Sequence, residues 1–144
     1  MKNKIKLFIF ITLTATAGFS LAGCDLFLLP KRINITVIPE MYSGMLGALV
    51  LSQGNTDKAY VYPEPIGGDS HGIDFSHTFN LLDWETEKPF TKDGTYTVKF
   101  LVYEDTDAAE KGSTIWSGQI PNKNISEETT SINYFDFPGA VFPK

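Results

Sequence analysis

The sequence predicts an all-β domain built as two antiparallel sheets packed face to face. About seven short segments alternate apolar and polar residues with a period of two, which is typical of strands buried on one side. Glycine, proline, asparagine and aspartate separate these segments, and none has the periodicity of an amphipathic helix. A run of short strands without helices favours a sandwich, because each apolar sheet face needs a second sheet to cover it.

Three strands are predicted in the first half of the domain, at residues 33–38, 46–51 and 58–62. In the first, the odd-numbered residues are predicted to face the core, Val37 among them. The second is a more continuous apolar run around Gly47, which fits a strand that is buried on both faces or bulged. Pro63 and Pro65 are expected to end the third strand, because proline cannot donate a ladder hydrogen bond.

Four more strands are predicted, at residues 73–81, 95–103, 114–120 and 129–135. The segment 95–103 has the clearest alternation, and its predicted core face consists of Tyr96, Val98, Phe100 and Val102. In the segment 73–81, His77 falls on the apolar parity. Residues 104–112 are acidic and contain alanine, which predicts about one turn of helix.

These elements predict a domain from residue 33 to residue 137, followed by a C-terminal tail at 138–144. The number and spacing of the strands resemble those of immunoglobulin-like or transthyretin-like sandwiches. Gly94-Thr95-Tyr96-Thr97-Val98 is similar to the start of a late strand in many extracellular sandwich domains.

The N-terminus has the layout of a secretory signal peptide, with a basic start, an apolar run at residues 7–19 and small residues before Cys24. The run is shorter than the roughly 18 to 20 apolar residues that a membrane span needs. Leu21-Ala22-Gly23-Cys24 resembles the lipobox of bacterial lipoproteins. The resemblance, which covers the first 24 residues, implies cleavage of residues 1–23 and a lipid on the sulfur of Cys24.

A lipidated Cys24 would make the membrane a partner of this chain, in the bacterial cell envelope. Residues 24–32 then form a short apolar tether, in which eight residues reach at most about 26 Å. The domain is therefore expected close to the membrane, either on the outer side of the cytoplasmic membrane or in the outer membrane. Cys24 is the only cysteine, so acylation accounts for it better than a disulfide within the chain.

The charge of the mature chain bears on its partners. Residues 1–23 hold three of the 12 basic residues and none of the 17 acidic ones, so nine basic and 17 acidic residues leave a net charge of −8. Such acidity argues against binding to nucleic acid or to anionic lipid surfaces. No motif in the sequence indicates a cofactor.

A hydrolase is one alternative function. Residues 68–72 (GDSHG) fit the G-x-S-x-G elbow of α/β-hydrolases, with Ser70 as the nucleophile and His71 beside it. That elbow requires a strand before the serine and a helix after it, whereas prolines precede Ser70 and a predicted strand follows it. The only histidines are His71 and His77, so a histidine late in the chain, which those families use, is missing.

Two cation sites are further alternatives. Imidazole and carboxylate groups that could hold zinc or a related ion occur at Asp69, His71, Asp74 and His77. On one extended strand the two histidines share a face while Asp74 points away, which disfavours four converging ligands. Glu104, Asp105 and Asp107 offer oxygen ligands that suit calcium, but the run lacks the glycine and the distal glutamate of an EF-hand loop.

Aromatic residues provide the last candidate, a face that binds a glycan or a peptide. Six residues could contribute: Tyr42, Tyr60, Tyr62, Trp84, Tyr103 and Trp116. Aromatic side chains in a small sandwich commonly fill its core instead. The combined expectation is a lipid-anchored, non-catalytic sandwich that acts as a binding or scaffolding module.

Overall fold

Residues 29–67 and 74–141, which the computed structural model describes, form a two-sheet β-sandwich, and this confirms the predicted fold class. In these residues there are eight strands: β1 (Arg32–Pro39), β2 (Leu46–Gln53), β3 (Thr56–Pro65), β4 (Asp74–Asn80), β5 (Leu82–Asp83), β6 (Gly94–Tyr103), β7 (Trp116–Ile125) and β8 (Thr129–Asn133). One short α-helix, α1 (Thr106–Lys111), and two 3-10 helices, Glu40–Tyr42 and Tyr134–Asp136, lie in the connections.

The strands form one sheet of three in the order β4-β1-β8 and one of five in the order β5-β3-β2-β6-β7. All the pairs are antiparallel except β1 with β8, which is parallel. The exception follows from the chain path. After β7 the chain crosses to the other sheet and begins β8 at Thr129, opposite Arg32 at the start of β1.

The core lies between the two sheets, and β6 supplies its centre. Its predicted core face is confirmed, since Tyr96, Val98, Phe100 and Val102 are all buried. β6 lies between β2 and β7, and the ring of Phe100 contacts aromatic rings from β4 and β7. Burying this row against the opposite sheet stabilises the fold by roughly 1.5–3 kcal/mol for each large side chain.

Strand β1 departs from the predicted alternation at Val37. Val37 has a positive φ of 59° and is half-buried, while Ile38 takes the buried position. The pairing with β4 shifts register between Ile35 and Ile38, which marks a β-bulge. A bulge adds one residue and reverses the parity that follows it, so the prediction that Val37 faces the core is wrong.

Strand β3 continues through both prolines that were expected to end it. It runs to Pro65, and Pro65 lies opposite Leu46 of β2. On its other side β3 pairs with β5 only at Ala59 and Tyr60, so the rest of that side is a sheet edge. Proline is tolerated on an edge because no neighbouring strand needs its missing N–H group. The predicted end of this strand is therefore wrong.

The predicted helical turn is present as α1, which covers one end of the five-stranded sheet. Asp105 caps its N-terminus by accepting a hydrogen bond from the Ala108 amide at 2.8 Å, and Gly112 ends it with a positive φ of 68°. A second apolar cluster forms beneath the helix from Ala48, Tyr103 and Ala109. Strand β2 is therefore buried on both faces at this end, which is one of the two alternatives that its continuous apolar run left open.

Candidate functional site

The outer face of the five-stranded sheet, opposite the core, carries the candidate site. The strand registers place one row of side chains across all five strands: Leu82, Tyr60, Val50, Lys99 and Gln119. Helix α1 and its cluster cover the part of this face near Tyr103. The row that contains Tyr60 lies farther along the strands from Tyr103, so helix α1 and its cluster are on a different part of this face.

Three aromatic side chains on this face, Tyr60, Tyr62 and Trp84, form what we call the aromatic patch. The ring of Tyr60 lies 5.0 Å from that of Tyr62 and 5.4 Å from that of Trp84, each edge to face. Tyr60 is only 4% exposed, whereas Tyr62 and Trp84 are half-buried. Tyr60 is thus the floor of the patch, and the two flanking rings present its accessible surface.

The turn after β5 fixes Trp84 beside β3. The Trp84 amide donates a hydrogen bond to the Lys58 carbonyl at 3.0 Å, and this bond holds the turn alongside β3. The carboxylate of Asp83 accepts hydrogen bonds from the amides of Glu85 and Thr86 at 3.1 and 3.0 Å. Such a bonded turn restrains the backbone before any ligand arrives, which lowers the entropy lost on binding.

Polar and charged groups lie on the same sheet face as the patch and beside Tyr60. Burial raises the pKa of Tyr60, and the hydrogen bond that its hydroxyl donates to Tyr62 at 3.1 Å, with the negative charges of Glu87 and Asp83, raises it further. Tyr60 therefore stays protonated at neutral pH. Lys99 and Gln119, both exposed, lie in the same row on the other side. An apolar centre with a polar rim is the usual composition of a binding surface.

The structure separates the six aromatic residues that the sequence offered as candidates. Tyr42 and Trp116 belong to the main core, so they are not part of any outer face. Tyr103 lies in the cluster beneath α1. Only the three residues of the aromatic patch come together on an outer face that keeps accessible surface.

His77 lies at one side of the sandwich, where it links the two sheets. Its Nε2 atom lies 2.8 Å from Oε1 of Glu64, and the two side chains are 17% and 38% exposed. The ring of His77 also packs on Phe79 at 4.5 Å, in agreement with its predicted position on the apolar parity. Glu64 was not identified from the sequence, because no local pattern connects it with a histidine of the other sheet.

The proposed zinc ligands and the hydrolase motif fall largely outside the described residues. Asp69, Ser70 and His71 lie there, and the side chain of Asp74 is not described. Within residues 29–67 and 74–141, no three His, Cys, Asp or Glu side chains come together as a metal site would require.

The acidic residues after β6 stabilise helix α1. The carboxylate of Asp105 is the N-cap of α1, and Asp107 pairs with Lys111 at 2.6 Å, one turn later. Both groups therefore act in local helix stabilisation. Capping and charge pairing thus account for two of the acidic residues in this segment.

Of the expected tether at residues 24–32, the structure describes only the last four residues, and these lead into the sandwich. Cys24 and the rest of the lipobox lie outside the described residues, and β1 begins at Arg32. Lys31 is buried, and its ammonium group contacts Asp93 at 2.6 Å and the Ser126 carbonyl at 2.9 Å. In the described part of the chain, no helix has the length and apolarity needed to cross a bilayer.

No protein-family model, curated protein or solved structure matches this chain. Its functional assignment therefore rests on its own residues and geometry.

Proposed function

We propose that this chain is a lipid-anchored module of the bacterial cell envelope that binds or scaffolds a partner without catalysing a reaction. The observation that carries the binding role is the aromatic patch, where the half-buried Tyr62 and Trp84 rings flank Tyr60 on an outer sheet face. Tyrosine and tryptophan dominate binding energies at interfaces, because they bury a large rigid area and also offer a polar group.

The anchoring role rests on the sequence Leu21-Ala22-Gly23-Cys24. A diacylglyceryl group on Cys24 would supply two acyl chains and would hold the protein stably, since two chains are needed for firm attachment. The sandwich begins at Arg32, only eight residues after Cys24. The domain would then stand close to the membrane, on the outer side of the cytoplasmic membrane or in the outer membrane.

The anchor is tested by replacing Cys24→Ser in the full chain expressed in bacteria. The wild-type protein is expected to incorporate labelled palmitate and to enter the detergent phase on partition, whereas the variant is expected to lose the label. Loss of two acyl chains removes many methylenes at about 0.8 kcal/mol each, so membrane retention should fall steeply. A labelled or equally lipophilic Cys24→Ser protein would contradict lipidation at this residue.

The second candidate function is glycan binding, with the aromatic patch as the binding site. A sugar ring has an apolar C–H face and a hydroxyl rim. The patch offers aromatic rings, with Glu87 near Tyr60 and the hydrogen-bonding groups of Lys99 and Gln119 two and three strands away on the same face. The net charge of −8 on the mature chain favours neutral sugars over acidic polymers. Neutral oligosaccharides of envelope polymers fit this chemistry.

The replacement Trp84→Ala tests whether the aromatic patch binds a glycan. Binding of short oligosaccharides of N-acetylglucosamine, and of purified peptidoglycan, is measured by calorimetry and by sedimentation. We expect affinity to fall about tenfold or more, because tryptophans that act as hot spots of an interface contribute about 2 kcal/mol or more.

The matched control is Met41→Ala, since Met41 is a large apolar residue on the surface but lies away from the patch, in the 3-10 helix after β1. Its affinity for the same sugars should equal that of the wild type. Absence of binding by the wild type, or equal loss in both variants, would contradict a glycan site at the aromatic patch.

A further inference from the structure

The chain enters the sandwich through a closely bonded residue at one end. The amide of Lys31 donates a hydrogen bond to the Phe90 carbonyl at 2.6 Å, and its carbonyl accepts one from the Leu81 amide at 3.1 Å. The side chain of Lys31 is 9% exposed, and its ammonium group contacts Asp93 at 2.6 Å and the Ser126 carbonyl at 2.9 Å. Lys31 therefore fixes the point at which the preceding residues leave the domain.

These contacts define one end of the sandwich, which we call the anchor end. It contains Lys31, the connection that leads into β6, the connection that follows β7 and the turn between β2 and β3. The opposite end, which we call the far end, contains the 3-10 helix after β1 and helix α1. Strand β6 runs from one end to the other in ten residues, so the two ends lie about 30 Å apart.

The chain between Cys24 and the anchor end is short. Leu29, the first described residue, is 59% exposed and lies five residues after Cys24. Five residues span at most about 18 Å, which is less than the separation of the two ends. A lipid-bound Cys24 therefore cannot reach the bilayer when the sandwich stands on its far end. Only the anchor end or a side of the sandwich can face the membrane.

The charge of the sandwich is distributed unevenly between its ends. The row of side chains from Leu82 to Gln119 crosses the larger sheet near its middle and divides the sandwich into two halves. Among the described side chains outside this row, the anchor half holds six basic residues, Lys31, Arg32, Lys58, Lys88, Lys92 and Lys123, and seven acidic ones, Asp57, Asp83, Glu85, Glu87, Asp93, Glu127 and Glu128. The far half holds one basic residue, Lys111, and seven acidic ones, Glu40, Glu64, Glu104, Asp105, Asp107, Glu110 and Asp136. The net charge of these side chains is therefore −1 in the anchor half and −6 in the far half.

We propose that the anchor end faces the surface of a phospholipid bilayer and that the far end points away from it. The inference rests on the proposed lipid anchor and adds the orientation of the domain. A domain lying on its side would bring the acidic far half within about 8 Å of the bilayer, the distance over which charges interact at physiological ionic strength. Anionic lipids would repel that half, whereas they would repel the nearly neutral anchor half only weakly.

Two further features fit this orientation. The exposed Leu29 precedes Lys31 at the anchor end, where its apolar side chain would meet the bilayer interface rather than water. The aromatic patch lies on a side of the sandwich, because Tyr60 belongs to the row at its middle. An upright domain therefore leaves the patch accessible to its ligand.

The test measures the height of three surface positions above the bilayer in the full, lipid-modified chain. Asn55→Cys places a thiol in the turn between β2 and β3 at the anchor end. Met41→Cys and Ser113→Cys place thiols at the far end, the first next to the smaller sheet and the second next to the larger one. All three positions are exposed. Each variant is labelled with a fluorescent dye and reconstituted in vesicles of phosphatidylethanolamine and phosphatidylglycerol that contain a lipid-bound energy acceptor.

We expect the dye at Asn55 to lie about 30 Å closer to the bilayer than either far-end dye, because β6 separates the two ends. A far-end dye at the same height as the dye at Asn55 would overturn the orientation. The wild type distinguishes this failure from failure of the anchor, because an acylated Cys24 leaves no thiol to react with the dye. A wild type that takes up the dye would overturn both the anchor and the orientation.

A pair of double variants tests whether charge sets the orientation. Glu104→Lys with Glu110→Lys makes the far half less acidic, and Glu85→Lys with Glu127→Lys makes the same change in the anchor half; all four side chains are exposed. We expect the first pair to bring the dye at Ser113 towards the anionic vesicles but not towards vesicles of phosphatidylcholine. The second pair should leave its height unchanged. An unmoved dye in the first pair, or equal movement in both, would overturn the role of charge.

Discussion

Replacing Phe100→Ala is expected to lower the free energy of unfolding by about 3–5 kcal/mol. Phe100 is fully buried in β6, and its ring lies 5.7–5.9 Å from those of Phe79, Trp116 and Phe137. These neighbours come from different elements, so they cannot all collapse into the space that the ring leaves. A cavity at this point therefore costs a large part of the 5–15 kcal/mol that stabilises a typical domain.

Urea unfolding of residues 30–144 measures this loss, with Lys99→Ala as the control. Lys99 is the preceding residue of the same strand but lies exposed on the outer face. Its removal should change stability by no more than about 0.5 kcal/mol. Equal unfolding midpoints for the two variants would contradict the observed register of β6.

Replacing Tyr134→Ala is expected to have a comparable effect, about 3–5 kcal/mol. Tyr134 follows β8, is 0% exposed, and its ring lies 4.9 Å from that of Trp116 in the other sheet. Its hydroxyl accepts a hydrogen bond from the Val141 amide at 3.1 Å and lies 3.3 Å from the hydroxyl of Tyr42. The residue therefore joins the two sheets and the C-terminal segment at one point.

The Tyr134→Phe variant separates the ring from the hydroxyl in the same urea experiment. It keeps the aromatic packing but leaves the Val141 amide and the buried Tyr42 hydroxyl without this partner, at a cost of about 1 kcal/mol. If both variants lost the same stability, the hydrogen bonds rather than the packing of the ring would hold this region together.

The sequence predicted the regular strands because a period of two is a local property. In β6 the burial alternates from Thr95 to Val102, so parity alone identified Phe100 as a core residue. In β1 the same reasoning placed Val37 on the wrong face, because the bulge arises where β1 pairs with a strand about 40 residues away. Pairing partners of this kind leave no signal in the strand itself.

The candidate site shows the same division. The sequence identified all three residues of the aromatic patch as candidates, but it did not distinguish them from Tyr42 and Trp116. Tyr42 is buried because its 3-10 helix folds back onto Tyr134, and Trp116 because β7 turns it towards the core. Nothing in the residue type distinguishes such positions, since tyrosine and tryptophan suit both a core and a binding surface.

The sequence by itself determined the all-β class, the core face of β6 and the acidic charge, because these follow from residue order and composition. The expected lipid anchor at Cys24 also comes from the sequence alone. Only the tertiary structure decided that Tyr60, Tyr62 and Trp84 meet on one face and that Glu64 contacts His77. These features depend on which strands become neighbours, and the free energy that selects those neighbours is spread over the whole core rather than encoded in any one segment.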